Sequence, residues 1–236
     1  MRALILAAGL GTRLRPITND IPKSIVKVNK TPILFKQIEN LKKNNIEDII
    51  VIAGYKSDIM IERINNKYSD IEIIENKDFD KTNNMYSAYL AKDKLYNKDF
   101  ILMNADVFFE SSIIKKIIDD SNPNVIATQV GLYNLENMKV KVDNEEIKNI
   151  SKNINQDESF GVSIDIYKFS NEGSKAIFDK MENYIDKQKD LNQWTEVALN
   201  DILNNVVFKP CDIEDDKWIE IDNHEDLKEA ERVFNE

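Results

Sequence analysis

The chain has little of the side-chain chemistry on which many enzymes depend, with one cysteine and one histidine in 236 residues. A structural zinc site takes about four cysteine or histidine ligands, so Cys211 and His224 cannot supply one. The same scarcity argues against hydrolases with a histidine-assisted nucleophile, which would have to use His224. A chain with one cysteine cannot form an internal disulfide. Cys211 is predicted to be a buried structural thiol. His224 is predicted to lie in the first turn of a terminal helix.

Long apolar runs are also scarce. No stretch is long enough to span a membrane, and the apolar segment 4–8 is too short to be a leader. We therefore expect a cytoplasmic protein without membrane association. With 42% hydrophobic and 31% charged residues, the chain can bury one sizeable core, which predicts a single domain over 1–236.

Positive charge is confined to one part of the chain. The protein has a formal net charge of -10, yet residues 1–30 contain six basic side chains and one acidic side chain, Asp20. This segment is therefore +5 and the remainder -15. A short basic segment suits a compact polyanion such as a triphosphate, whereas a nucleic-acid partner would favour a wider basic surface. We expect a small phosphorylated ligand and no nucleic acid.

A glycine loop follows the first apolar run within this basic segment. Residues 4–8 lead into Gly9–Arg13, and Lys23 follows after a short gap. Such a loop presents bare backbone N–H groups and cations to an anion. A Walker loop needs Gly-x-x-x-x-Gly-Lys-Ser/Thr, and a dinucleotide fingerprint needs a small residue in place of Leu14. Neither template fits, and an ordinary turn would not account for Arg13 and Lys23. The pattern predicts a different kind of nucleotide-phosphate site.

Residues 6–16 read Leu-Ala-Ala-Gly-x-Gly-Thr-Arg-Leu-x-Pro, and Pro-Lys follows at 22–23. This pattern resembles the signature of the nucleotidyltransferases that join a nucleoside triphosphate to a phosphorylated small molecule, among them the sugar-1-phosphate nucleotidyltransferases and the phosphocholine cytidylyltransferases. The resemblance continues at 54–55, 104–106, 161–162 and 220–222. It implies a Rossmann-like α/β fold of the nucleotide-diphospho-sugar transferase type, with a mixed, mainly parallel sheet flanked by helices and a small extra β-region in the second half. The nucleotide-binding half would be 1–120 and the acceptor-binding half 121–236.

Hydrophobic periodicity predicts the same organisation. Predicted strands cover 2–8, 48–53, 71–75, 99–104, 125–130, 138–142, 146–150, 160–169 and 218–221. Predicted helices cover 32–44, 57–67, 84–93, 111–119, 171–187, 195–204 and 225–234. The polar segment 183–192 is the one candidate for disorder.

Nucleotidyl transfer requires an anionic nucleophile, positioning and charge neutralisation rather than a general base. The resemblance implies that Arg13 and Lys23 act on the triphosphate, with Lys23 on the α-phosphate, and that Asp106 and Asp222 hold Mg²⁺. Both aspartates follow apolar strands, but either could instead cap a nearby helix. The implied nucleotide-binding residues are Leu6, Ala7, Ala8, Gly9, Gly11, Thr12, Arg13, Lys23, Gly54, Tyr55, Asn84, Ser87, Ala105 and Asp106.

The Asn-rich segment 81–88 is similar to that of the phosphocholine and phosphonate cytidylyltransferases and favours CTP, although its asparagines could also simply cap a helix. The implied acceptor-binding residues are Lys152, Gly161, Trp194 and Glu196. Lys152 is equally consistent with a surface lysine, and Trp194 with a core or hinge residue. The ring and the carboxylate could receive an ammonium group.

The prediction is a Mg²⁺-dependent cytidylyltransferase that acts on a small phosphorylated acceptor such as phosphocholine, a phosphonate or phosphoglutamine. It would serve the decoration of a surface polysaccharide or lipid. The alternatives are a sugar-1-phosphate nucleotidyltransferase that uses UTP, dTTP or GTP, and a non-catalytic nucleotide-binding relative. The sequence is also compatible with a homodimer of this chain.

Overall fold

A nine-stranded mixed sheet forms the centre of the computed structural model, which describes residues 1–235. Its strands are β1 (Arg2–Ala7), β4 (Ile49–Ala53), β5 (Ile71–Glu75), β6 (Phe100–Asn104), β8 (Val125–Val130), β9 (Lys139–Asp143), β10 (Glu146–Ser151), β11 (Gly161–Phe169) and β12 (Lys209–Asp212). Two small ribbons pair β2 (Lys27–Val28) with β3 (Thr31–Pro32), and β7 (Val107–Phe109) with β13 (Trp218–Glu220).

The two halves of the chain contribute differently to the sheet. In the order β10-β9-β11-β6-β1-β4-β5, the last four strands are parallel and come from the first half of the chain. The long strand β11 joins the halves, because it runs antiparallel to β6 on one side and to β8 and β9 on the other. This arrangement confirms the expected mainly parallel sheet with added strands from the second half.

Helices cover both faces of the sheet. They are α1 (Ile33–Lys43), α2 (Ser57–Asn65), α3 (Asn84–Tyr89), α4 (Lys92–Leu95), α5 (Ser111–Asp119), α6 (Asn171–Glu182), α7 (Thr195–Ile202) and α8 (His224–Val233). Alternate residues of β1 show why both faces need cover. Ala3 and Ile5 belong to one buried apolar cluster, whereas Leu4 and Leu6 belong to the cluster on the opposite face.

A third, smaller core holds the basic segment against the end of the chain. Leu14 and Val26 pack with Phe108, Ile221 and Leu227, all of them buried. This packing brings the loop after β1 next to the β7–β13 ribbon. Residues close to positions 20 and 220 therefore meet at one edge of the sheet.

Several local predictions were wrong. The candidate disordered segment 183–192 overlaps the predicted helix 171–187, and the structure confirms the helix there. Asn183–Lys187 is a π-helical turn that follows α6, because Ile185 is buried in the core. The predicted helix 84–93 is two shorter helices, α3 and α4. Strands β7 and β12 were not predicted, since three or four residues carry too little periodicity to be recognised and both strands depend on distant partners.

Other local predictions were confirmed. Cys211 is a buried free thiol. His224 begins α8, and its Nε2 lies 2.7 Å from the carbonyl oxygen of Arg15. Within the described part of the chain, none of the helices combines the length and apolar character needed to cross a bilayer.

Candidate active site

A cleft of about 470 Å³ opens at the carboxyl ends of the parallel strands. Ligands of open α/β sheets bind at this edge because the strand-to-helix loops converge there. The residues that line it come from every quarter of the chain. They are Leu6, Ala7, Ala8, Gly9, Leu10, Gly11, Thr12, Arg13, Lys23, Ser24, Asn76, Phe79, Thr82, Asn83, Asn84, Ser87, Asn104, Ala105, Asp106, Met138, Lys152, Asp165, Trp194, Glu196, Glu220 and Asp222.

The glycine loop crosses one side of this cleft. Gly11 has a φ of +61°, a backbone region that favours glycine, and a Cβ there would lie 2.7 Å from the Cβ of Lys23. The carbonyl oxygen of Gly11 accepts a hydrogen bond from Thr18 Oγ1 at 2.7 Å. Gly9 has open space around it, because a Cβ there would have no heavy atom within 4 Å. The loop is therefore packed against Lys23 at one glycine and open at the other.

Lys23 joins the two predicted metal carboxylates. Its Nζ lies 2.9 Å from Asp106 Oδ2 and 2.7 Å from Asp222 Oδ1, and Arg13 Nη2 lies 2.8 Å from Asp222 Oδ2. A backbone hydrogen bond from the N–H of Ile221 to the carbonyl oxygen of Asp106, at 2.9 Å, holds the two acidic segments side by side. Two cations and two carboxylates that are far apart in sequence form one cluster.

The electrostatics of this cluster favour the charged forms of Lys23 and Asp222. Burial disfavours the charge on Lys23, but the carboxylates of Asp106 and Asp222 outweigh burial and raise the pKa of the ammonium. Burial likewise opposes ionisation of Asp222, and Lys23 and Arg13 outweigh it, so the pKa of Asp222 is lowered. Burial and repulsion from neighbouring carboxylates, Asp165 first, raise the pKa of Glu220.

Helix capping does not account for the two aspartates. Asn223 is the N-cap of α8, where its side chain accepts from the N–H groups of Glu225 and Asp226. Asp106 is separated from α5 by strand β7. Both carboxylates therefore remain available to the cleft.

The carboxylates fit a divalent cation. Asp106, Glu220 and Asp222 each offer an oxygen within 4.8 Å of the others, and oxygen ligands are those that Mg²⁺ prefers. Asp106 Oδ1 is buried without a hydrogen-bond partner among residues 1–235. An unpaired buried carboxylate oxygen is costly unless a cation satisfies it.

The far end of the cleft contains a second acidic group. Asp165 lies in β11 with a φ of +58°, where the pairing with β8 is irregular between Ser163 and Tyr167. The hydroxyl of Tyr167 is 2.9 Å from Asp165 Oδ1 and 2.8 Å from Glu196 Oε1. One hydroxyl proton cannot serve both carboxylates, so the second contact requires a proton on one of them. Burial accordingly raises the pKa values of Asp165 and Glu196.

Trp194 and Lys152 complete this end. The indole is 45% exposed and borders the cleft, and Lys152 Nζ lies 5.8 Å from its ring centroid. Trp194 is too exposed for a core residue, and Lys152 contributes to the cleft wall. The region thus combines an aromatic face, a cation and two carboxylates.

Most of the predicted site residues lie on this cleft, but three do not. Gly54 packs behind the glycine loop, where a Cβ would meet the carbonyl oxygen of Ala8 at 2.6 Å, and the N–H of Tyr55 donates to that oxygen at 3.1 Å. Gly161 lies within β11, where a Cβ would come 2.4 Å from the carbonyl oxygen of Gln129. These residues support the walls from outside, and their assignment to binding stays a prediction.

Sequence reasoning missed several residues of the lining, among them Asn76, Met138 and Asp165. Asp165 did have a signal, because it is the one acidic residue in the mainly apolar strand 161–169. Asn76 follows directly after β5, at a carboxyl end where ligand-binding residues collect. Met138 had no such signal.

Comparison with known sequences identifies the family. The nucleotidyl transferase family model matches residues 2–235. A choline-phosphate cytidylyltransferase of Streptococcus pneumoniae is 46% identical over 97 residues, which cover 41% of this chain and 42% of that protein. A CTP:phosphoglutamine cytidylyltransferase of Campylobacter jejuni is 36% identical over 124 residues, covering 50% and 49%. The chain spans about half the length of the relatives it matches.

Solved structures share the fold. The CTP:phosphocholine cytidylyltransferase of Streptococcus pneumoniae superimposes with a TM-score of 0.79 at 24% identity, covering 98% of both chains. The inositol-1-phosphate CTP transferase of T. maritima superimposes with a TM-score of 0.80 at 22% identity, covering 100% of this chain and 96% of that one. The expected family and fold are confirmed: the chain belongs to the nucleotidyl transferase family.

Proposed function

We propose that the protein is a Mg²⁺-dependent cytidylyltransferase that transfers CMP from CTP to a small phosphorylated or phosphonate acceptor. The observation that carries this proposal is the cluster of Lys23, Arg13, Asp106 and Asp222 beside the glycine loop. It combines backbone N–H groups, cations and oxygen ligands at one edge of the sheet, which is what an in-line displacement on a triphosphate needs.

In this reaction a phosphate or phosphonate oxygen of the acceptor attacks the α-phosphorus of CTP. The new P–O bond forms as the bond to pyrophosphate breaks, and the leaving group carries the electron pair away. The attacking oxygen is already anionic near neutral pH, since the second pKa of a phosphate monoester is about 6. Lys23 and Arg13 would neutralise charge that builds up on the triphosphate, and the open backbone around Gly9 would approach its oxygens closely.

Asp106 and Asp222 would hold Mg²⁺, with Glu220 next to them. The ion would supply further charge neutralisation at the phosphates. In the structure, Lys23 bridges the same two carboxylates, so the ammonium lies where triphosphate and carboxylates must meet. Its raised pKa keeps it charged throughout the physiological range.

CTP is favoured over other nucleotides because two sequence relatives above 35% identity are named as cytidylyltransferases. Asn84 and Ser87, which line the cleft, offer hydrogen-bonding groups to a nucleobase. At the other end, Lys152 would contact the acceptor phosphate. Trp194 and Glu196 would receive a cationic or hydrogen-bond-donating group of the acceptor. Phosphocholine, aminoethylphosphonate and phosphoglutamine all satisfy this description.

The test is pyrophosphate release with Mg²⁺, in which CTP, UTP, dTTP, GTP and ATP are crossed against acceptors. The acceptors are phosphocholine, aminoethylphosphonate, phosphoglutamine, inositol phosphate, glucose-1-phosphate and mannose-1-phosphate. We expect release with CTP and one non-sugar acceptor. Release only with UTP, dTTP or GTP and a sugar phosphate would replace this assignment with the sugar-1-phosphate alternative. Tight CTP binding without release from any pair would indicate a binding protein.

A further inference from the structure

Three side-chain amides on one face of α1 hold a single stretch of backbone. Gln37, Asn40 and the C-cap residue Asn44 are three and four residues apart, a spacing that places side chains on the same helix face. Their amide nitrogens donate hydrogen bonds to the segment between β6 and the start of α5. The acceptors are the carbonyl oxygens of Val107 at 2.7 Å, Phe109 at 2.8 Å and Ser111 at 3.0 Å.

The amides occupy the edge of β7 that its partner strand leaves free. In an antiparallel pair, successive carbonyl groups of a strand point alternately towards the partner and away from it. The carbonyl oxygen of Asp106 points towards β13, since it accepts from the N–H of Ile221 at 2.9 Å. The carbonyl groups of residues 107 and 109 point to the other side, where α1 lies. This short strand is thus held along both edges, by β13 and by the amides.

Gln37 differs from the other two amides because it brackets Asp106. Its Nε2 donates to the carbonyl oxygens of Asn104 at 2.9 Å and Val107 at 2.7 Å, which flank the turn 105–106 between β6 and β7. Carbonyl oxygens only accept, so the atom that faces them must be the amide nitrogen. The amide oxygen Oε1 is buried without a hydrogen-bond partner among residues 1–235. The two donors therefore account for a polar side chain at this fully buried position.

The turn that Gln37 brackets is linked to both aspartates proposed to hold the metal. It contains Asp106, and the hydrogen bond from Ile221 ties it to the residue that precedes Asp222. Fixing the backbone on either side of Asp106 therefore also fixes the spacing of the two aspartates. Within the described range 1–235, Gln37 is not one of the residues that line the cleft. Its effect on a ligand must pass through this backbone.

We propose that Gln37 is a positioning residue that fixes the turn carrying Asp106, and thereby the spacing of Asp106 and Asp222 for a divalent cation. This role rests on the proposed function, because it requires that the two aspartates hold the ion. Removing a group that orients a metal ligand without touching the metal typically costs about 10- to 100-fold in metal affinity. The signature of the role is weaker metal binding by a folded protein.

The first test is Gln37→Met, which keeps the length of the side chain and removes both donors. Mn²⁺ binding is followed by electron paramagnetic resonance with CTP and without acceptor, and the binding that Asp106→Ala removes defines the site. We expect Gln37→Met to bind Mn²⁺ there roughly tenfold more weakly than the unmodified protein. In steady-state assays kcat should fall while the KM for the acceptor stays the same. A folded Gln37→Met protein with undiminished Mn²⁺ affinity would overturn the proposal.

The matched control is Asn40→Leu. Asn40 is 2% exposed and lies on the same helix face, but its hydrogen bond goes to Phe109, three residues beyond Asp106. Both variants should lower the midpoint of thermal unfolding, because each leaves a backbone carbonyl oxygen without its donor. Only Gln37→Met should weaken Mn²⁺ binding. Equal losses of Mn²⁺ affinity in the two variants would mean that Gln37 supports the fold in general, and would contradict a positioning role.

A second variant, Gln37→Glu, covers the case in which Gln37→Met does not fold. It keeps the shape of the amide, but a carboxyl group carries one proton at most. In either protonation state it cannot donate to both carbonyl oxygens. We expect Mn²⁺ binding roughly fivefold weaker or more, compared with the unmodified protein. An unchanged affinity would show that the two donors are not needed.

Failure of this proposal and failure of the proposed function give different results. If the unmodified protein shows no Mn²⁺ binding that depends on Asp106, the metal assignment is wrong and the role of Gln37 is wrong with it. Asp106-dependent binding that Gln37→Met leaves unchanged contradicts the role of Gln37 alone. Weaker Mn²⁺ binding in Gln37→Met, without pyrophosphate release from any pair of nucleotide and acceptor, supports the positioning role and contradicts the transferase assignment.

Discussion

The two halves of the molecule build the cleft in different ways. In the first half, the loop after β1 carries Gly9, Gly11 and Arg13 within five consecutive residues, directly behind a parallel strand. In the second half, Lys152, Asp165 and Trp194 come from three separate elements or loops around antiparallel strands. The glycine loop proposed to contact the triphosphate is therefore local in sequence, whereas the residues proposed to hold the acceptor come together only after the chain has folded.

The largest effect should come from Asp106→Ala. Turnover should fall more than about 10³-fold, because the proposed metal loses a ligand at the reacting phosphates. Steady-state pyrophosphate release measures the loss, and Mn²⁺ binding followed by electron paramagnetic resonance gives an independent measure. Asp215→Ala, at an exposed aspartate outside the cleft, is the control. Turnover within tenfold of the unmodified protein would refute the metal assignment.

Lys23→Met should lower kcat by about 10² to 10³-fold, since it removes one preorganised cation from the site of transfer. The variant keeps most of the side-chain volume, but it leaves Asp106 and Asp222 without their shared cation, so the midpoint of thermal unfolding should also fall. Lys27→Met, at an exposed lysine of the same basic segment, should leave kcat unchanged. Equal losses in the two variants would mean that general positive charge, rather than the contact of Lys23 with Asp106 and Asp222, matters.

Gly54→Ala tests whether support from outside the cleft matters in the first half. A methyl group would come 2.6 Å from the carbonyl oxygen of Ala8 and 2.8 Å from the Cβ of Phe79. We expect a loss of about 2 kcal/mol in the free energy of unfolding, measured in urea, together with weaker CTP binding. Gly9→Ala, which has no neighbour within 4 Å, should cost less stability. The reverse order would show that the loop does not rest on Gly54.

Trp194→Ala tests the independence of the second half. The KM for the acceptor should rise roughly tenfold, because a side chain that is 45% exposed can contact a ligand without supporting the core. CTP affinity, measured without acceptor, should be unchanged. Val207→Ala, at another half-exposed residue away from the cleft, is the control. A loss of CTP affinity instead would show that the two halves do not bind separate substrates.

The smallest effect concerns pH. Burial raises the pKa of Asp165, so the folded protein retains a proton that the unfolded chain has already released above about pH 4. This group therefore contributes most stability at low pH and loses that contribution as pH rises towards its folded pKa. Asp165→Asn should show a flatter pH dependence of the free energy of unfolding between about pH 4 and neutrality, measured in urea. Parallel profiles for the two proteins would contradict the raised pKa.

Most of the architecture could be predicted from the chain. The four parallel strands β1, β4, β5 and β6 of the first half are separated by helices of clear periodicity, and all four of them were recognised. The wrong predictions concern elements whose stability is not local. The segment 183–187 is polar apart from Tyr184 and Ile185, and Ile185 packs in an apolar cluster whose other members include residues distant in sequence. Strand β12 has four residues and depends on its parallel pairing with β8.

The glycine loop, the cations Arg13 and Lys23, and the two aspartates proposed to hold the metal could all be recognised from the sequence, because each occupies a short motif or follows an apolar strand. The bridge from Lys23 to Asp106 and Asp222 depends on the tertiary structure, since a core shared by Leu14 and Ile221 brings distant segments together. The same holds for the irregular pairing of β11 with β8 around Asp165 and for the two carboxylates that meet at the hydroxyl of Tyr167. Hydrogen-bond polarity and carboxylate pairing depend on neighbours in space, which the order of residues along the chain does not state.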